Sequence, residues 1–526
     1  MLTRKKILLI VLFAALAVRA VFAVAFANSF FASYHLVPGL DMQTLLRFSE
    51  WQEGGEYAPF FTFHRVWLYL VWLAGGKNHI LWATYLIQTL LGCAGIAALT
   101  DSVLKLTRKR LAALICGIAA SLYLPLLVYE FSILQETFMV NFALIFFWSA
   151  LNALRKRFSI GSSAIFAVSA FAALAGRPAA LFFCTAICLY CAWKMQKRHL
   201  LKKFLPAAAG VAVLLFGAAL FNWNFHRIPT PFYMVMGYSV EYNTGIQAGT
   251  EENSRLSAWM QSGKKALMRT PQLFKAGELP ENQNIYFWCE KIPQLNFLIS
   301  PGLLIPFAAA GIMVLLLSGA WKSRYGLLLI PIITMALPLC VREVIGRYRL
   351  MLVPYFFMIS ACAVVIFLRL KTPQKRGIAL FGAGAGAFFA IWNSDVPERI
   401  RQSDYCSYAI AAAQTPDTDP EVIFEEHMTY LEKSRSQVAF NMLMDQLLKY
   451  RATDQLRAIT AKEEKTGKFD PDEIYYFNAW SYALDNQPHK VWENLCKIKN
   501  KLPPDKHQKA LMLSNDTRRI LNNTQK

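Results

Sequence analysis

Apolar runs of about 20 residues, nearly free of charge, recur through about the first three-quarters of this 526-residue chain and decide its fold class. Residues 7–28 hold a single charge, Arg19, and residues 204–222 and 298–320 hold none. A hydrocarbon layer about 30 Å thick asks for about 20 apolar residues of helix. No water is there to satisfy backbone N–H and C=O groups, so each run must close its own hydrogen bonds as a helix. Charged residues make up only 17% of the chain, against about 25% in an average soluble domain, so these runs belong to a membrane protein.

The formal net charge of +21 invites a nucleic-acid partner, but its distribution excludes one. Basic runs alternate with the apolar segments: Arg4-Lys5-Lys6, Lys105 with Arg108-Lys109-Arg110, and Arg155-Lys156-Arg157. They continue as Lys194 to Lys203, Lys322 with Arg324, and Arg369 to Arg376, with almost no acid beside them. Lys and Arg collect in cytoplasmic loops, so the charge reports topology.

With the N-terminus cytoplasmic, spans are expected at about 7–28, 80–104, 111–128, 133–152, 160–176, 178–193, 204–222, 298–320, 325–341, 350–368 and 377–393. Residues 29–79 and 223–297 become outer loops. An odd number of spans, about 11, puts the C-terminus outside and every basic run inside. The first span, though basic at its start like a signal peptide, is about 22 residues long and is read as retained. The glycines Gly382, Gly384 and Gly386 fall inside a span, where close helix packing explains them better than a nucleotide loop.

Composition changes abruptly near residue 396. A membrane domain, 1–395, is expected to be followed by a soluble helical domain, 396–526. Apolar residues there recur at helical spacing, as in Val438, Phe440, Met442, Leu443, Leu447 and Leu448. Residues 473–499 read as helix, turn, helix: one tetratricopeptide-like (TPR-like) repeat, or part of a plain bundle. Most of the ten cysteines lie within apolar segments and are expected as buried free thiols.

The polar residues that carry chemistry are those at the outer face. Asp41 precedes an amphipathic stretch, Leu45 to Glu53, suited to the interface plane. It is either a helix cap or a general base. Glu136 opens the fourth span, as dipole compensation or as a functional acid. Arg19 lies within the first span, His64-Arg65 late in the first outer loop, and Arg177 in a tight hairpin. Arg342 to Arg349 sets three arginines outside, with Tyr348 between Arg347 and Arg349, against the inside bias of the other runs. Arginine's planar donor fork suits a phosphate, and lipid headgroup anchoring is the alternative.

Three segments together resemble the GT-C glycosyltransferases of the protein O-mannosyltransferase and aminoarabinose-transferase type. They are the early outer loop with Asp41, Glu53-Gly54, Tyr57-Ala58-Pro59-Phe60 and Arg65; the stretch from Leu90-Leu91-Gly92 through Leu124-Pro125-Leu126 and Tyr129-Glu130 to Glu136-Thr137; and Gly176-Arg177-Pro178 with Gly346-Arg347-Tyr348-Arg349. The resemblance covers about residues 7–370 and implies an inverting transfer from a polyprenyl-phosphate sugar to a lipid, glycan or protein acceptor outside a bacterial inner membrane. It makes Asp41 the base, with Arg65, Arg347 and Arg349 on the phosphate. Arg19 joins the phosphate set or supports it, as do Glu136, Tyr348, Arg177 and His64. These members need no catalytic metal, and Met42 after Asp41 leaves no paired-acid metal site. The tail is a candidate seat for a protein partner. The rival functions are an envelope polysaccharide polymerase or ligase, whose main outer loop falls late in the chain, and a transporter or scaffold.

Overall fold

The computed structural model describes residues 3–43, 46, 67–68, 70–71, 77–176, 180–226, 264–278, 280, 283–342, 346–393, 395–396, 399–499 and 502–524. Among these residues there is no strand, and the protein is an all-α membrane protein with a helical tail. It forms two units: Met1–Ser29 with Gly39–Arg399, and Phe30–Pro38 with Ile400–Lys526.

The first unit contains α1 (Arg4–Ala27), α2 (Lys77–Thr107), α3 (Arg110–Ser121), α4 (Leu124–Glu130), α5 (Glu136–Arg155), α6 (Ile160–Gly176), α7 (Leu181–Gln196) and α8 (Leu201–His226). It continues with α9 (Ile285–Lys291), α10 (Pro301–Leu317), α11 (Leu329–Arg342), α12 (Gly346–Arg349), α13 (Val353–Arg369) and α14 (Pro373–Trp392). Every expected span coincides with helix. Arg4–Ala27, Ile80–Thr107, Glu136–Arg155 and Gly346–Arg369 are each long and apolar enough to cross a bilayer unaided.

One span differs from expectation. The run at 111–128 breaks into α3 and α4. Tyr123 is extended there and forms a lone parallel bridge with Ile299: the Ile299 amide donates to the Leu122 carbonyl at 2.9 Å, and the Leu124 amide to the Ile299 carbonyl at 3.0 Å. Pro125, in the first turn of α4, favours a fresh start because its missing N–H costs nothing at that position. The break lets the chain turn before Glu130 and deliver Glu136 to the first turn of α5.

Glycines set the closest helix approach. A Cβ at Gly386 would stand 2.8 Å from the Ala309 carbonyl oxygen, so α14 packs on α10 backbone where only glycine fits, while Gly382 packs against the terminal methyl of Leu317, a side chain able to move aside. Gly384 has nothing within 4 Å and takes no part.

The second unit holds α15 (Gln402–Gln414), α16 (Pro420–Ser434), α17 (Gln437–Lys449), α18 (Thr453–Thr466), α19 (Pro471–Leu484), α20 (Pro488–Lys497) and α21 (Pro504–Thr524). Capping explains the starts: Asp419, Ser436 and Asp470 each accept a backbone N–H of the following turn. Each helix packs chiefly on its neighbours in sequence. Its core includes Phe440 stacked on Phe469, with ring centroids 4.7 Å apart, and Ala479, Val491 and Leu513. Phe30–Pro38 belongs to this unit rather than to the membrane domain where the sequence reading put it. Phe30 and Phe31 rings pack on Tyr408 of α15, and Thr415 Oγ1 lies 2.7 Å from Ser33 Oγ. Aromatic packing of this kind carries no sequence period, which is why the segment reads only as loop.

Candidate active site

Arg347 brings together two carboxylates that are far apart in sequence. Its Nη1 donates to Asp41 Oδ2 at 2.5 Å, across 306 residues of chain. Its Nε lies 3.8 Å from Glu136 Oε1. Glu136 is 1% exposed and Arg347 16%, while Asp41 remains 48% exposed. The Asp41 carboxylate is therefore the solvent-exposed member of the three. Tyr348 steadies the guanidinium, accepting from Nη2 at 3.1 Å, with the Arg347 guanidinium carbon 4.9 Å from its ring centre.

Local structure explains the placement. Gly39, at φ +85°, takes the left-handed turn that leads into the helical turn at Asp41. Glu136 is the first residue of α5, where the helix dipole favours an anion. Arg347 sits on the single helical turn α12, immediately before α13.

Arg349 faces the other way. It is 2% exposed, and its fork donates to the carbonyls of Lys275 at 2.5 Å and Gly277 at 3.1 Å and to Glu278 Oε2 at 2.7 Å. With those acceptors around it, Arg349 ties down the 275–278 segment, and a carrier phosphate would have to share its fork with Glu278. The Glu278 amide in turn donates to Tyr286 Oη at 2.8 Å, and burial raises the Tyr286 phenol above its ordinary range.

Arg19 is likewise committed. Its Nε and Nη2 each donate to Glu130 at 2.6 Å, and Nη1 donates to the Ala15 carbonyl at 3.1 Å. Both side chains are 2% exposed, so the pair is closed off from solvent. Gly92 makes room for this pair, since a Cβ there would stand 2.2 Å from Glu130 Oε1. Glu130 and Glu278 are absent from the sequence-predicted site. The signal for Glu130 was present in Arg19, because an arginine within a span needs a buried acid to answer it.

The segment between α4 and α5 is held from α2. Gln88 Nε2 donates to the Ser132 and Leu134 carbonyls, both at 3.1 Å, and Thr137 Oγ1 donates to the Tyr129 carbonyl at 2.9 Å. At the basic ends of the helices, Asp101 accepts from Arg4 at 2.7 and 2.8 Å and from Trp148 at 2.8 Å, and pairs with Lys105 at 2.5 Å. His64, Arg65 and Arg177 lie outside the described residues. Cys188 and Cys191 form a CxxC spacing, where the sequence reading counts no such pair; both are free thiols within α7.

These features define the class: an all-α polytopic membrane protein with a carboxylate–arginine–carboxylate site. No family model and no curated protein matches the chain. Among solved structures it is similar to the oligosaccharyltransferase of Archaeoglobus fulgidus, determined with zinc and sulfate, with a TM-score of 0.37 and 14% identity. That match covers 81% of this chain and 56% of the other, so the chain spans little more than half the length of that protein.

Proposed function

We propose that the protein is an inverting membrane glycosyltransferase that moves a sugar from a polyprenyl-phosphate donor to an acceptor hydroxyl on the extracytoplasmic side. The observation that carries this reading is the convergence of Asp41, Arg347 and Glu136, residues that the resemblance to GT-C transferases also singles out.

The chemistry asks for a base and for a cation at the leaving group. The acceptor oxygen forms a bond to the anomeric carbon as the bond from that carbon to the phosphate oxygen breaks. Asp41 takes the acceptor proton. The bonding pair leaves on the polyprenyl phosphate, whose charge Arg347 stabilises in the manner of an oxyanion site. In the resting geometry Asp41 occupies Nη1 of Arg347. Arrival of the donor phosphate displaces Asp41 from the guanidinium, so the base is released only once the leaving group is held. Glu136 keeps the guanidinium in place from its buried side. Arg349 and the Arg19–Glu130 pair fix the segments that carry the site. The helical tail serves as the seat for a partner or acceptor, whether as TPR-like repeats or as a simple bundle.

Asp41→Asn tests the base. Sugar transfer from a polyprenyl-phospho-sugar in purified membranes is expected to fall by about 10²–10⁴-fold. Transfer at the wild-type rate would remove Asp41 from the reaction.

A further inference from the structure

Helices α10 and α14 leave a cavity of about 430 Å³ between them, lined by Met313 and Leu317 of α10 and by Gly377, Ile378, Phe381, Gly382 and Ala385 of α14. Its size falls within the range of about 300–1,000 Å³ for ligand sites. Every one of these residues is apolar. On α14 they recur as positions i, i+1, i+4, i+5 and i+8, one stripe of a single helix face, with Gly382 closing its floor against Leu317. Ile378 is 47% exposed and Phe381 80%, so the groove opens sideways rather than into the protein interior.

Charge is concentrated at one end of this stripe. One turn back along the same face lie Gln374 and Lys375, preceded by Lys371, and all three are exposed. Lys322, beyond the end of α10, is also exposed, but its ammonium lies 5.5 Å from the centre of the Trp321 ring, so it is not one of the groove cations. No acid occurs between residues 318 and 324 or between 369 and 377. By contrast, Arg369 in the same region is occupied, donating to Tyr325 Oη at 3.0 Å and to the Thr107 carbonyl at 2.8 Å. The cations at the groove mouth thus have no acidic neighbour in sequence, and the apolar groove begins where they end.

From this juxtaposition we infer that the α10–α14 groove is a seat for an anionic phospholipid, with an acyl chain along Gly377, Ile378 and Phe381 and the phosphate headgroup at Lys371 and Lys375. Charge complementarity selects the occupant. A zwitterionic lipid fills the groove equally well but gains little at the lysines, whereas a net negative headgroup gains about fivefold in retention per lysine, the equivalent of about 1 kcal/mol. This seat lies at the basic ends of the helices, apart from Asp41 and Arg347, and does not depend on the proposed transfer reaction.

Gly377 offers a clean test, because a Cβ added there meets nothing within 4 Å. Gly377→Leu sets an apolar side chain into the groove from a position whose Cβ is unobstructed, and replaces a helix glycine by a better helix former. The full-length protein is reconstituted in vesicles of equal parts phosphatidylglycerol and phosphatidylcholine with a small share of polyprenyl phosphate. It is then extracted, and the retained lipids are counted by mass spectrometry. Wild-type protein is expected to retain phosphatidylglycerol preferentially. Lys371→Glu with Lys375→Glu is expected to abolish that preference, a loss of about 25-fold or more. Gly377→Leu is expected to lower bound phospholipid of both kinds. Equal retention of the two phospholipids by the wild type would overturn the inference, as would an unchanged preference in the lysine variant or full lipid retention by Gly377→Leu. Retention of polyprenyl phosphate that falls in Gly377→Leu and in the lysine variant, while phosphatidylglycerol retention does not, would overturn the assignment of the occupant.

Discussion

The two units use the same element, the α-helix, but place their charges in opposite ways. In the membrane unit, ion pairs span long stretches of chain: Arg19 with Glu130 across 111 residues and Arg349 with Glu278 across 71, both buried, and Arg347 with Asp41 across 306, with Asp41 half exposed; Lys105–Asp101 is a local pair beside them. In the tail, Arg401–Asp404, Arg457–Asp454 and Lys497–Glu493 join residues three or four apart on one helix. Lys506–Glu473, across 33 residues and 7–10% exposed, is the tail's nearest approach to the membrane style. Where water is absent, a charge must find its partner in the tertiary structure, so the pair becomes part of what defines the fold. At a wet surface the same contact is screened and contributes little.

Breaking a buried pair is the strongest challenge to this contrast. Arg19→Leu strands the Glu130 carboxylate and is expected to cost about 3–5 kcal/mol, read as a drop in thermal stability of the full chain in detergent. Gly92→Ala is expected to act in the same direction, because its new Cβ meets Glu130. If both variants melt with the wild type, the pair is decoration rather than framework.

Acid acts on the tail through His427. Its side chain is fully buried, with Nδ1 2.9 Å from the Ile423 carbonyl, and Nε2 has no partner. Burial lowers its pKa below the ordinary 6.5, and the backbone contact offsets this only in part. The unfolded chain therefore binds the proton more readily than the folded one. The stability contributed by neutral His427 is fully present above about pH 6.5 and declines as pH falls toward the folded pKa, by at most about 1.4 kcal/mol per pH unit. Once the slower intrinsic exchange at lower pH is divided out, the protection of α16 amides against hydrogen exchange is expected to fall between pH 7 and 5.5, and His427→Gln to flatten that response. An equal response in the variant would assign the acid sensitivity to other groups.

Lys497→Ala is expected to leave melting unchanged within repeat measurements, since its partner Glu493 is exposed and one turn away. A clear loss would erase the contrast from the tail's side.

How much of this was legible beforehand follows the same division. The spans and the tail helices carry periodic apolar patterns, and helices stand at all the expected segments. The break at Tyr123 does not show in hydropathy, because it is made by a backbone pairing with Ile299, far along the chain. Asp41, Glu136 and Arg347 could be singled out because charge at a membrane edge is costly. Their mutual contact could not be read, and neither could the pairing of Arg349 with Glu278, since nothing in local spacing encodes which acid a buried arginine meets. Phe30–Pro38 joins the tail through aromatic contacts that have no period at all.

The most direct test of the central claim concerns Arg347, the residue that joins the two carboxylates. Transfer from a polyprenyl-phospho-sugar is measured in purified membranes for wild type and Arg347→Ala, with thermal stability followed in parallel. The account predicts a loss of about 10²–10³-fold in turnover without a comparable loss of stability. Wild-type turnover in Arg347→Ala would contradict it.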